Sequence, residues 1–502
     1  MLLTAGGLAL VTPETSLAAG LTVNSTVDAV DANPGDGICA TAAGECTLRA
    51  AIEEANALPG PDTVNLGAGT YTITIGAGDF SPSSDLNISD ELEIRGAGAN
   101  QTLVDGGYYS RVIATFWIHS ATVAISDLTL MNFGDPLVIG GAILNDGGTL
   151  TLNDVVVTHN VASRGAGVAN LGGLTIHGGA FIQNGAPGGE SSDGAISNAG
   201  TMTLEGVTFR GNGSGSGGGA IGNDNTAVLN NVVIADNGTE GVGGGIYNGW
   251  KMTVTNSTLT GNDGSAIFND STGTLVVANT TVAGNSGVGS GIWNRGAASL
   301  TNVTMSGNHT SSTVGGGIYN GFFGLGNLVL KNSIVAGNSG GNCAGAVPIT
   351  SAGHNLSSDS SCGFTAAGDL QDTDPLLGPL ADNGGPTQTM VLLPGSPAID
   401  AGDNVGCPST DQRGFFRPFD GDADGQAVCD IGAYEFGSSA CAGDVTGDGE
   451  VDASDVKAVA RAMHSTPGSE RWRDAADVNG DGVIDVADLR AVVRARKAHA
   501  CA

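Results

Sequence analysis

A four-residue pattern of hydrophobic and polar positions recurs through the middle of the chain. It consists of a small residue, a branched aliphatic residue, a variable residue and an asparagine, and successive asparagines are 25, 28, 25, 25, 21, 25 and 26 residues apart. A second series of asparagines runs in step with the first. Repetition at a period of this size is typical of a stacked array of similar units. The two series are Asn145, Asn170, Asn198, Asn223, Asn248, Asn269, Asn294 and Asn320, and Asn160, Asn184, Asn212, Asn237, Asn262, Asn285, Asn308 and Asn338.

The residues between these asparagines predict strands rather than helices. Short β-prone runs such as 152–158 and 275–278 occur, and no helical period is present. A repeat this short cannot bury its apolar face alone, so the repeats must stack. We therefore predict a mainly β chain that forms a parallel β-helix, right-handed as parallel crossovers usually are, with asparagine amides hydrogen-bonded along the stack. The interior aliphatic column would be Ile143, Val168, Ile196, Ile221, Ile246, Ile267, Ile292 and Ile318.

The front of the predicted β-helix carries a segment that could cap it. Residues 46–56 have a helical apolar period, with Leu48, Ile52 and Ala55 on one face, which predicts a helix laid over the first coil. Within this segment, the run CTLRAAI at 46–52 resembles the CSLREAI motif of secreted bacterial β-helix proteins. Threonine replaces the serine of that motif and alanine replaces its glutamate.

Four segments near residue 400 resemble the choice-of-anchor Q region that closes many such helices. They are residues 374–380, 395–402, 411–414 and 429–435. The resemblance implies a secreted scaffold followed by a C-terminal attachment device, and it implies no single activity. The expected organisation is a signal peptide at 1–19, an N-terminal cap at 20–66, β-helix repeats at 67–340, a choice-of-anchor Q-like part at 341–436 and a calcium module at 441–502.

Two acidic loops of twelve residues lie near the C-terminus, at 444–455 and 477–488. A calcium loop of this length supplies oxygen ligands from positions 1, 3, 5, 7, 9 and 12, with glycine at position 6 for the turn. Gly449 and Gly482 occupy that position here. We therefore predict one Ca²⁺ ion in each loop. The predicted ligands are Asp444, Thr446, Asp448, the Glu450 carbonyl, Asp452 and Asp455 in the first loop, and Asp477, Asn479, Asp481, the Val483 carbonyl, Asp485 and Asp488 in the second.

The paired loops, with the helices predicted after them, resemble a type I dockerin over residues 441–502. Aspartate closes both loops and no full helix precedes the first, which separates a dockerin from an ordinary EF-hand pair. The resemblance implies a cohesin-like protein module as the partner. A further loop with Asp420, Asp422 and Asp424 is a candidate for a third Ca²⁺ ion, but Ile431 stands where a closing carboxylate is expected. A plain solvated turn is the alternative for that loop.

Composition and charge narrow the classes of function. With 18 basic and 50 acidic residues, the formal charge is −32, which repels nucleic acid and suits divalent cations. The 84 glycines fit a repeat fold better than disorder, because 40% of the residues are hydrophobic. Eight cysteines without a C-x-x-C pair fit disulfides in an oxidising compartment. The cysteines fall in the pairs Cys39/Cys46, Cys343/Cys362, Cys407/Cys429 and Cys441/Cys501.

The N-terminal residues are consistent with export. Residues 2–11 form a short apolar run, and Ser16-Leu17-Ala18 resembles a small-residue cleavage site, although no basic residue precedes the run. An ordinary buried strand is the alternative interpretation. No other stretch is long and apolar enough to span a bilayer. We expect an extracellular or cell-surface protein that does not span a membrane.

The repeats offer no recognisable catalytic set. A polyuronate lyase needs a base beside carboxylates that hold calcium, and glycoside hydrolysis needs two facing carboxylates. Asp193 and Asp224 are about one coil apart, but nothing else in the sequence marks them. The basic residues of the repeats are not expected to lie in dense acidic clusters. They are Arg164, Arg210, Lys251, Arg295 and Lys331.

Four aromatic residues precede the asparagines of successive repeats: Tyr247, Phe268, Trp293 and Tyr319. Alternation along a strand points them outward, and stacking at about 4.8 Å per coil would align them in a continuous strip. Flat rings on a rigid surface suit sugar rings. The alternative is an aromatic stack that a loop or the tail covers.

Two functions remain open at this point. The first is a secreted β-helix scaffold that binds or displays at a cell surface or in a polysaccharide-processing assembly, attached through the calcium-dependent dockerin-like module. The alternative is a carbohydrate-active enzyme, either a polysaccharide lyase or a glycoside hydrolase, that the same module delivers to a complex. No catalytic residue is assigned, and the sequence does not identify the polysaccharide.

Overall fold

The chain forms a parallel β-helix made of three ladders of short strands, followed by a small helical unit. The predicted fold class is confirmed. The structure is a computed structural model. It describes residues 18–75, 85–107, 116–185, 193–310, 315–321, 324–422, 424–438, 445, 451, 453–465, 476 and 483–497.

Successive coils add strands to all three ladders. Ladder 1 is an eleven-stranded sheet of its own, whereas ladders 2 and 3 belong to one 23-stranded sheet, because the ten-residue strands Thr274–Ala283 and Ala297–Ser306 run through both. Ladder 1 comprises Leu86–Ile88, Phe116–His119, Ile143–Asp146, Val168–Asn170, Ile196–Asn198, Ile221–Asn223, Ile246–Asn248, Ile267–Asn269, Ile292–Asn294, Ile318–Asn320 and Cys343–Ala344. Ladder 2 otherwise comprises Gly20–Thr22, Asp62–Asn65, Leu92–Arg95, Thr122–Ser126, Thr149–Asn153, Gly173–His177, Thr201–Glu205, Thr226–Asn230, Lys251–Thr255, Asn327–Lys331 and Thr350–Ser351. Ladder 3 otherwise comprises Gly69–Thr72, Thr102–Asp105, Thr129–Met131, Val156–Thr158, Ala180–Ile182, Thr208–Arg210, Val233–Ala235, Thr258–Thr260, Ile334–Ala336 and Leu356–Ser357.

A few elements lie outside the ladders. Two strands pair in parallel beside the repeats, and two more form an antiparallel hairpin near the back of the β-helix. The described helices are one between the first two strands of ladder 2 and two in the C-terminal unit. The strands are Gly213–Ser214, Gly238–Thr239, Leu377–Ala381 and Thr389–Leu392, and the helices are Leu48–Ala57, Ala453–Ala462 and Val486–Lys497.

Two ladders of buried asparagine amides run through the interior. Asn145 Nδ2 donates to Asn170 Oδ1 at 2.7 Å, and each later member of that series donates to the next, as far as Asn320. The second series does the same from Asn160 to Asn338. Because each buried amide finds a partner in the adjacent coil, the polar ladders cost little to bury. The predicted amide stacks are confirmed, and all eight residues of the predicted aliphatic column are buried beside them.

The predicted N-terminal helix is present as Leu48–Ala57. The Thr47 side chain caps it by accepting a hydrogen bond from the Ala50 N–H at 3.1 Å. Leu48, Ile52 and Ala55 are buried in the β-helix core, as the apolar period predicts. The helix therefore closes the front of the stacked coils.

The residues after the ladders fold back along ladder 3. Thr281 Oγ1 donates to Gln412 Oε1 at 2.6 Å, and Gln412 Nε2 donates to Thr258 Oγ1 at 3.0 Å. Asn302 Nδ2 donates to the Asp430 carbonyl at 3.1 Å. These bonds bind the described tail to ladder 3, and the aromatic residues named above belong to ladder 1.

The same tail buries a cluster of charged groups. Arg417 Nε lies 3.3 Å from Glu435 Oε2, and both side chains are fully buried. Asp430 is also buried, and its Oδ1 accepts the Asp400 N–H at 2.7 Å. Burial raises the pKa of Asp430 to about 7 and also raises the pKa of Glu435, against the opposing charge of Arg417. Burial of two carboxyl groups beside one guanidinium therefore lets this cluster hold a proton up to about neutral pH.

Three of the predicted cysteine pairs are disulfides. All of the described cysteines are bonded in this way. The fourth predicted pair, Cys441 and Cys501, lies outside the described residues, as does the predicted cleavage motif up to Leu17. The disulfides are Cys39–Cys46, Cys343–Cys362 and Cys407–Cys429.

Candidate functional site

The outward column of ladder 1 carries the four predicted aromatic residues in register. Tyr247 pairs with Phe268, Phe268 with Trp293, and Trp293 with Tyr319 in consecutive parallel strands. Phe268 is only 3% exposed, and the other three side chains are half-buried. The column is therefore present, but its rings are unequally accessible.

The rings of this column touch one another without forming a flat strip. Tyr247 and Phe268 stack with centroids 5.6 Å apart, at 24° between planes. Phe268 and Trp293 meet edge to face at 5.2 Å and 90°, and Trp293 and Tyr319 do the same at 5.7 Å and 86°. Edge-to-face contact is a favoured geometry for aromatic pairs. The four rings therefore form a continuous column of contacts, but they are not coplanar and Phe268 is buried. Sugar binding by this column stays a prediction.

Polar groups line one end of the aromatic column. The Tyr247 hydroxyl donates to Asp270 Oδ2 at 3.1 Å, and Arg295 Nη1 lies 3.3 Å from Asp270 Oδ1. The Arg295 guanidinium also lies 5.9 Å from the centroid of the Phe268 ring. Burial, together with the charge of Asp270, raises the pKa of Tyr247 to about 12. The tyrosine is therefore protonated at neutral pH, so it can act as a hydrogen-bond donor but not as a base.

Beyond Tyr247, the same face of ladder 1 carries an acidic cluster around an arginine. Arg164 Nη2 lies 3.3 Å from Asp193 Oδ2 and 3.0 Å from Asp224 Oδ2. Ser197 Oγ donates to Asp193 Oδ2 at 2.7 Å. The expectation that the basic residues of the repeats avoid acidic clusters is wrong for Arg164. At this point the outward positions of ladder 1 hold the small residues Ser197 and Gly222, which pair in register. Their small size leaves room for the Asp193 side chain.

Burial dominates the electrostatics of Asp193. Its side chain is 8% exposed, and burial raises the pKa of Asp193 against the Ser197 hydrogen bond and the Arg164 charge. A raised pKa favours the protonated form, which is the form in which a carboxyl group can give a proton to a leaving group. Asp224 is about half exposed. Asp193 and Asp224 therefore both bind the Arg164 guanidinium, but their carboxyl groups lie in different environments.

One further aromatic residue lies in the same outward column. Trp117 pairs in register with Leu144, three strands before Ser197. Its ring centroid is 4.4 Å from that of His119, and His119 Nε2 is 3.0 Å from Asn87 Oδ1. The sequence pattern missed Trp117 because its strand has isoleucine where the repeat has asparagine. The outward alternation within the run FWIH was the signal that could have found it.

The described part of the C-terminal unit includes the closing residues of both calcium loops. Asp455 and Asp488 are buried. Asp455 Oδ1 accepts the Val445 N–H at 2.8 Å, and Asp488 Oδ2 accepts the Asp485 N–H at 2.8 Å. Carboxylates turned into their own loops fit a hard cation. Of the other predicted ligands, Val483 and Asp485 are described, whereas the rest lie outside the described residues. These are Asp444, Thr446, Asp448, Glu450, Asp452, Asp477, Asn479 and Asp481.

A small apolar cluster joins the two halves of this unit. Val459 and Val492, from the two helices, are buried in it together with Ile484 from the second loop. Val451 of the first loop packs against the same cluster. The two loops therefore share one core, which couples the geometry of one to that of the other.

A third group of carboxylates could hold a cation near the back of the β-helix. One oxygen from each of Asp400, Asp420 and Asp422 lies within 4.8 Å of the others. Asp424, which the sequence placed in this set, instead donates its N–H to Asp420 Oδ1 at 3.1 Å and to Asp422 Oδ1 at 3.0 Å. Asp400, which the sequence did not place in this set, is the third member of the cluster instead. Binding of a third ion stays a prediction.

Two family models match parts of the chain. The model of the Dockerin type I domain matches residues 442–495, and that of the Right handed beta helix region matches residues 193–365. The predicted handedness and the dockerin-like character of the C-terminal unit are confirmed. Dockerin type I domains bind calcium and cohesin modules. The resemblances to the CSLREAI and choice-of-anchor Q families are not confirmed by these matches and stay predictions.

Solved structures with low similarity to the chain include three carbohydrate-active proteins. They are a PL6 family alginate lyase (11% identity over 67% of this chain and 54% of that chain, TM-score 0.36), the A-module of a mannuronan C-5 epimerase from Azotobacter vinelandii (18%, 64% and 88%, 0.36) and a pectate lyase (15%, 84% and 98%, 0.35). The chain spans about half the length of the alginate lyase. No curated protein matches the chain.

Among the described helices, none is long and apolar enough to cross a membrane.

Proposed function

We propose that this chain is a secreted polysaccharide-binding β-helix, attached through its dockerin-like unit to a cohesin-like protein module. The observation that carries the proposal is the aromatic column on ladder 1. Tyr247, Trp293 and Tyr319 keep part of their rings accessible on a rigid parallel sheet. Four consecutive strands span about 14 Å at the usual strand spacing, so an extended chain is a better match for the column than a single small sugar.

The polar groups beside the column supply the directional part of such a site. Asp270 and Arg295 lie next to the rings, and the acidic cluster at Arg164 continues the same face. Aromatic rings bury the apolar faces of sugars, while charged and hydroxyl side chains bond their hydroxyl groups. The Tyr247 hydroxyl donates to Asp270, so its oxygen fits this role as an acceptor.

The experiment is an affinity measurement on the full chain with a set of soluble neutral and acidic polysaccharides. Trp293→Ala is expected to weaken binding to the recognised polysaccharide about tenfold or more, which is the size of one lost stacking contact of ~1.4 kcal/mol. Trp250→Ala is the matched control, since Trp250 is 54% exposed and lies outside the column. The proposal fails if no polysaccharide binds, or if both variants lose affinity equally.

The proposed attachment depends on two Ca²⁺ ions, one in each loop, held by the ligands predicted above. The ions would neutralise the loop carboxylates and fix both helices for the partner. A third ion would take the carboxylates of Asp400, Asp420 and Asp422. Capture of a cohesin module by the full chain, with and without a chelator, tests the attachment separately from polysaccharide binding.

A specific observation favours hydrolysis as a second candidate function. Asp193, with its raised pKa, lies beside the more exposed Asp224 on the face that carries the aromatic column. An acid and a carboxylate in different environments are what glycoside hydrolysis uses. A lyase is less well supported, because Tyr247 stays protonated and Arg164 is held between two carboxylates. New reducing ends that appear with the wild type and not with Asp193→Asn would establish the hydrolase. Unsaturated ends would establish a lyase instead.

A further inference from the structure

Asp62 is a buried carboxylate that is only half satisfied. It begins a strand of ladder 2 and is 2% exposed. Its Oδ1 accepts the Ala19 N–H at 2.7 Å, while Oδ2 is buried without a hydrogen-bond partner among the described residues. A buried carboxylate oxygen without a partner is costly, so such a group normally meets a cation or further donors. Asp62 Oδ2 therefore needs a hydrogen-bond donor that the backbone amide of Ala19 does not provide.

The charges around Asp62 favour a cation as that donor. Burial raises the pKa of Asp62, and the charges of Asp90 and Glu54 raise it further, against the Ala19 hydrogen bond. The cleft beside it, of about 290 Å³, is lined by Ala18, Asp62, Glu91 and Glu93 among others. The described residues that line this cleft include no basic side chain. Arg95, two residues after Glu93, is bonded to Glu93 on the exposed surface. Within the part of the chain that the structure describes, these surroundings are negative and no cation is directed at Oδ2.

Ala19 is held by the β-helix, whereas Ala18 is not. The Ala19 carbonyl accepts the Thr63 N–H at 2.9 Å, and the next residues pair with the strand that contains Asp62. Ala19 is half-buried against the core, and Ala18 is exposed. The folded body therefore includes Ala19, one residue earlier than the boundary expected from the sequence, and Ala18 is the last residue of the small-residue cleavage motif.

We propose that the Ala18–Ala19 peptide bond is hydrolysed during export, and that the new α-ammonium group of Ala19 pairs with Asp62. Water is the co-reactant, and the catalyst is a protease of the signal-peptidase class. The C–N bond breaks, Ala18 leaves with a carboxylate, and the Ala19 nitrogen becomes an amine that takes up a proton. An amide nitrogen has one N–H, which Oδ1 already accepts, whereas an ammonium has three. The same nitrogen can then also satisfy Oδ2 and supply the missing positive charge.

This pairing makes the folded state sensitive to correct processing. A free α-amino group has a pKa of about 7.7–8.0, and contact with a buried carboxylate raises it. The direction in which stability changes with pH follows from the raised pKa of this amine. The stabilising contribution is complete below the unfolded value of about 8 and is lost as the pH rises through the higher folded value. An N-terminal strand that is tied down in this way is less prone to fray.

The first test is the N-terminal sequence of the secreted protein. Mass spectrometry of the N-terminal peptide of the exported full chain should show Ala19 as the first residue. A mature N-terminus at any other position would overturn the proposal.

The second test compares full-length mature chains made with defined N-termini. A chain that starts at Ala19 should melt several degrees higher than one that starts at Ala18, where the Ala19 nitrogen is an amide. Asp62→Asn should abolish that difference, and Glu93→Gln, which removes a charge from the same cleft without touching Ala19, should leave it intact. Equal melting temperatures for the two starts, or an unchanged difference in Asp62→Asn, would overturn the pairing.

A chemical measurement covers the case in which Asp62→Asn does not fold. The pH dependence of the acetylation rate of the Ala19 amine in the otherwise unaltered chain gives its pKa. A pKa about one unit or more above the ordinary 7.7–8.0 is expected, and an ordinary pKa would contradict the contact with Asp62.

Discussion

The carboxylate of Asp193 occupies the space where a side chain on Gly222 would begin. A β-carbon built on Gly222 would lie 2.1 Å from Asp193 Oδ1, a distance that real β-carbons do not show. Gly222 pairs in register with Ser197 on one side and Tyr247 on the other. The single missing side chain in the outward column therefore brings a buried acid next to the aromatic rings.

Gly222→Ala should displace Asp193 and disturb its bonds to Ser197 and Arg164. We expect a loss of ~1–3 kcal/mol in the free energy of unfolding, the usual range for an overpacked site. Gly173→Ala is the control, because its new carbon would meet no atom closer than 3.8 Å. Denaturant unfolding of both variants measures the difference, and equal effects would show that the close contact has no energetic weight.

Phe268 and Trp293 should respond differently to truncation, although they are neighbours in one column. Phe268→Ala removes a ring that is 3% exposed and should lower the free energy of unfolding by ~3–5 kcal/mol. Trp293→Ala removes a half-buried ring and should cost clearly less. If thermal and denaturant unfolding give the two variants the same loss, the Trp293 ring is core packing rather than part of a binding surface.

The buried cluster around Asp430 should make stability fall as the pH rises. The folded pKa of about 7 lies above the ordinary value for an unfolded aspartate of about 3.9. Between these values the folded state holds a proton that the unfolded state has released. The free energy of unfolding should therefore decrease from about pH 4 to about pH 7, by up to ~1.4 kcal/mol per pH unit. Asp430→Asn should flatten this slope, and parallel wild-type and variant curves would refute the assignment.

Calcium should be required for the C-terminal helices. Without a cation the loop carboxylates repel one another, and the shared apolar cluster is too small to oppose that repulsion. Circular dichroism of residues 441–502 should show helix that appears with Ca²⁺ and disappears with chelator. Asp488→Ala should raise the Ca²⁺ concentration required, whereas Arg490→Ala, on the exposed face of the same helix, should not. A helical spectrum in the presence of chelator would contradict this prediction.

The interior of the β-helix could be predicted from the sequence because every coil has to satisfy the same buried hydrogen bonds. Asn145 and Asn170 must satisfy their amides in the adjacent coil, so their spacing reveals the stack. The same spacing placed Phe268 beside Trp293 correctly. The tilt of each ring could not be predicted, since it depends on how neighbouring side chains fill the space between coils.

The sequence placed Asp193 and Asp224 about one coil apart, but their cluster with Arg164 could not be predicted, because its members reach the site from different kinds of position. Asp193 precedes its ladder strand by three residues, in a repeat of 28 residues rather than 25, whereas Asp224 follows a strand. Arg164 lies before an earlier strand and spans two coils to reach both. Strand periodicity contains no information about where turn residues direct their side chains.

The most direct test of the central claim is hydroxyl-radical footprinting of the full chain with and without its polysaccharide. This measurement reports the solvent access of individual side chains. We predict that bound polysaccharide lowers the oxidation of Trp293 and Tyr319 on ladder 1 and leaves Trp250 unchanged. Protection of Trp250 alone, or bound polysaccharide with Trp293 and Tyr319 oxidised as before, would contradict the assignment of the ladder 1 face as the binding surface.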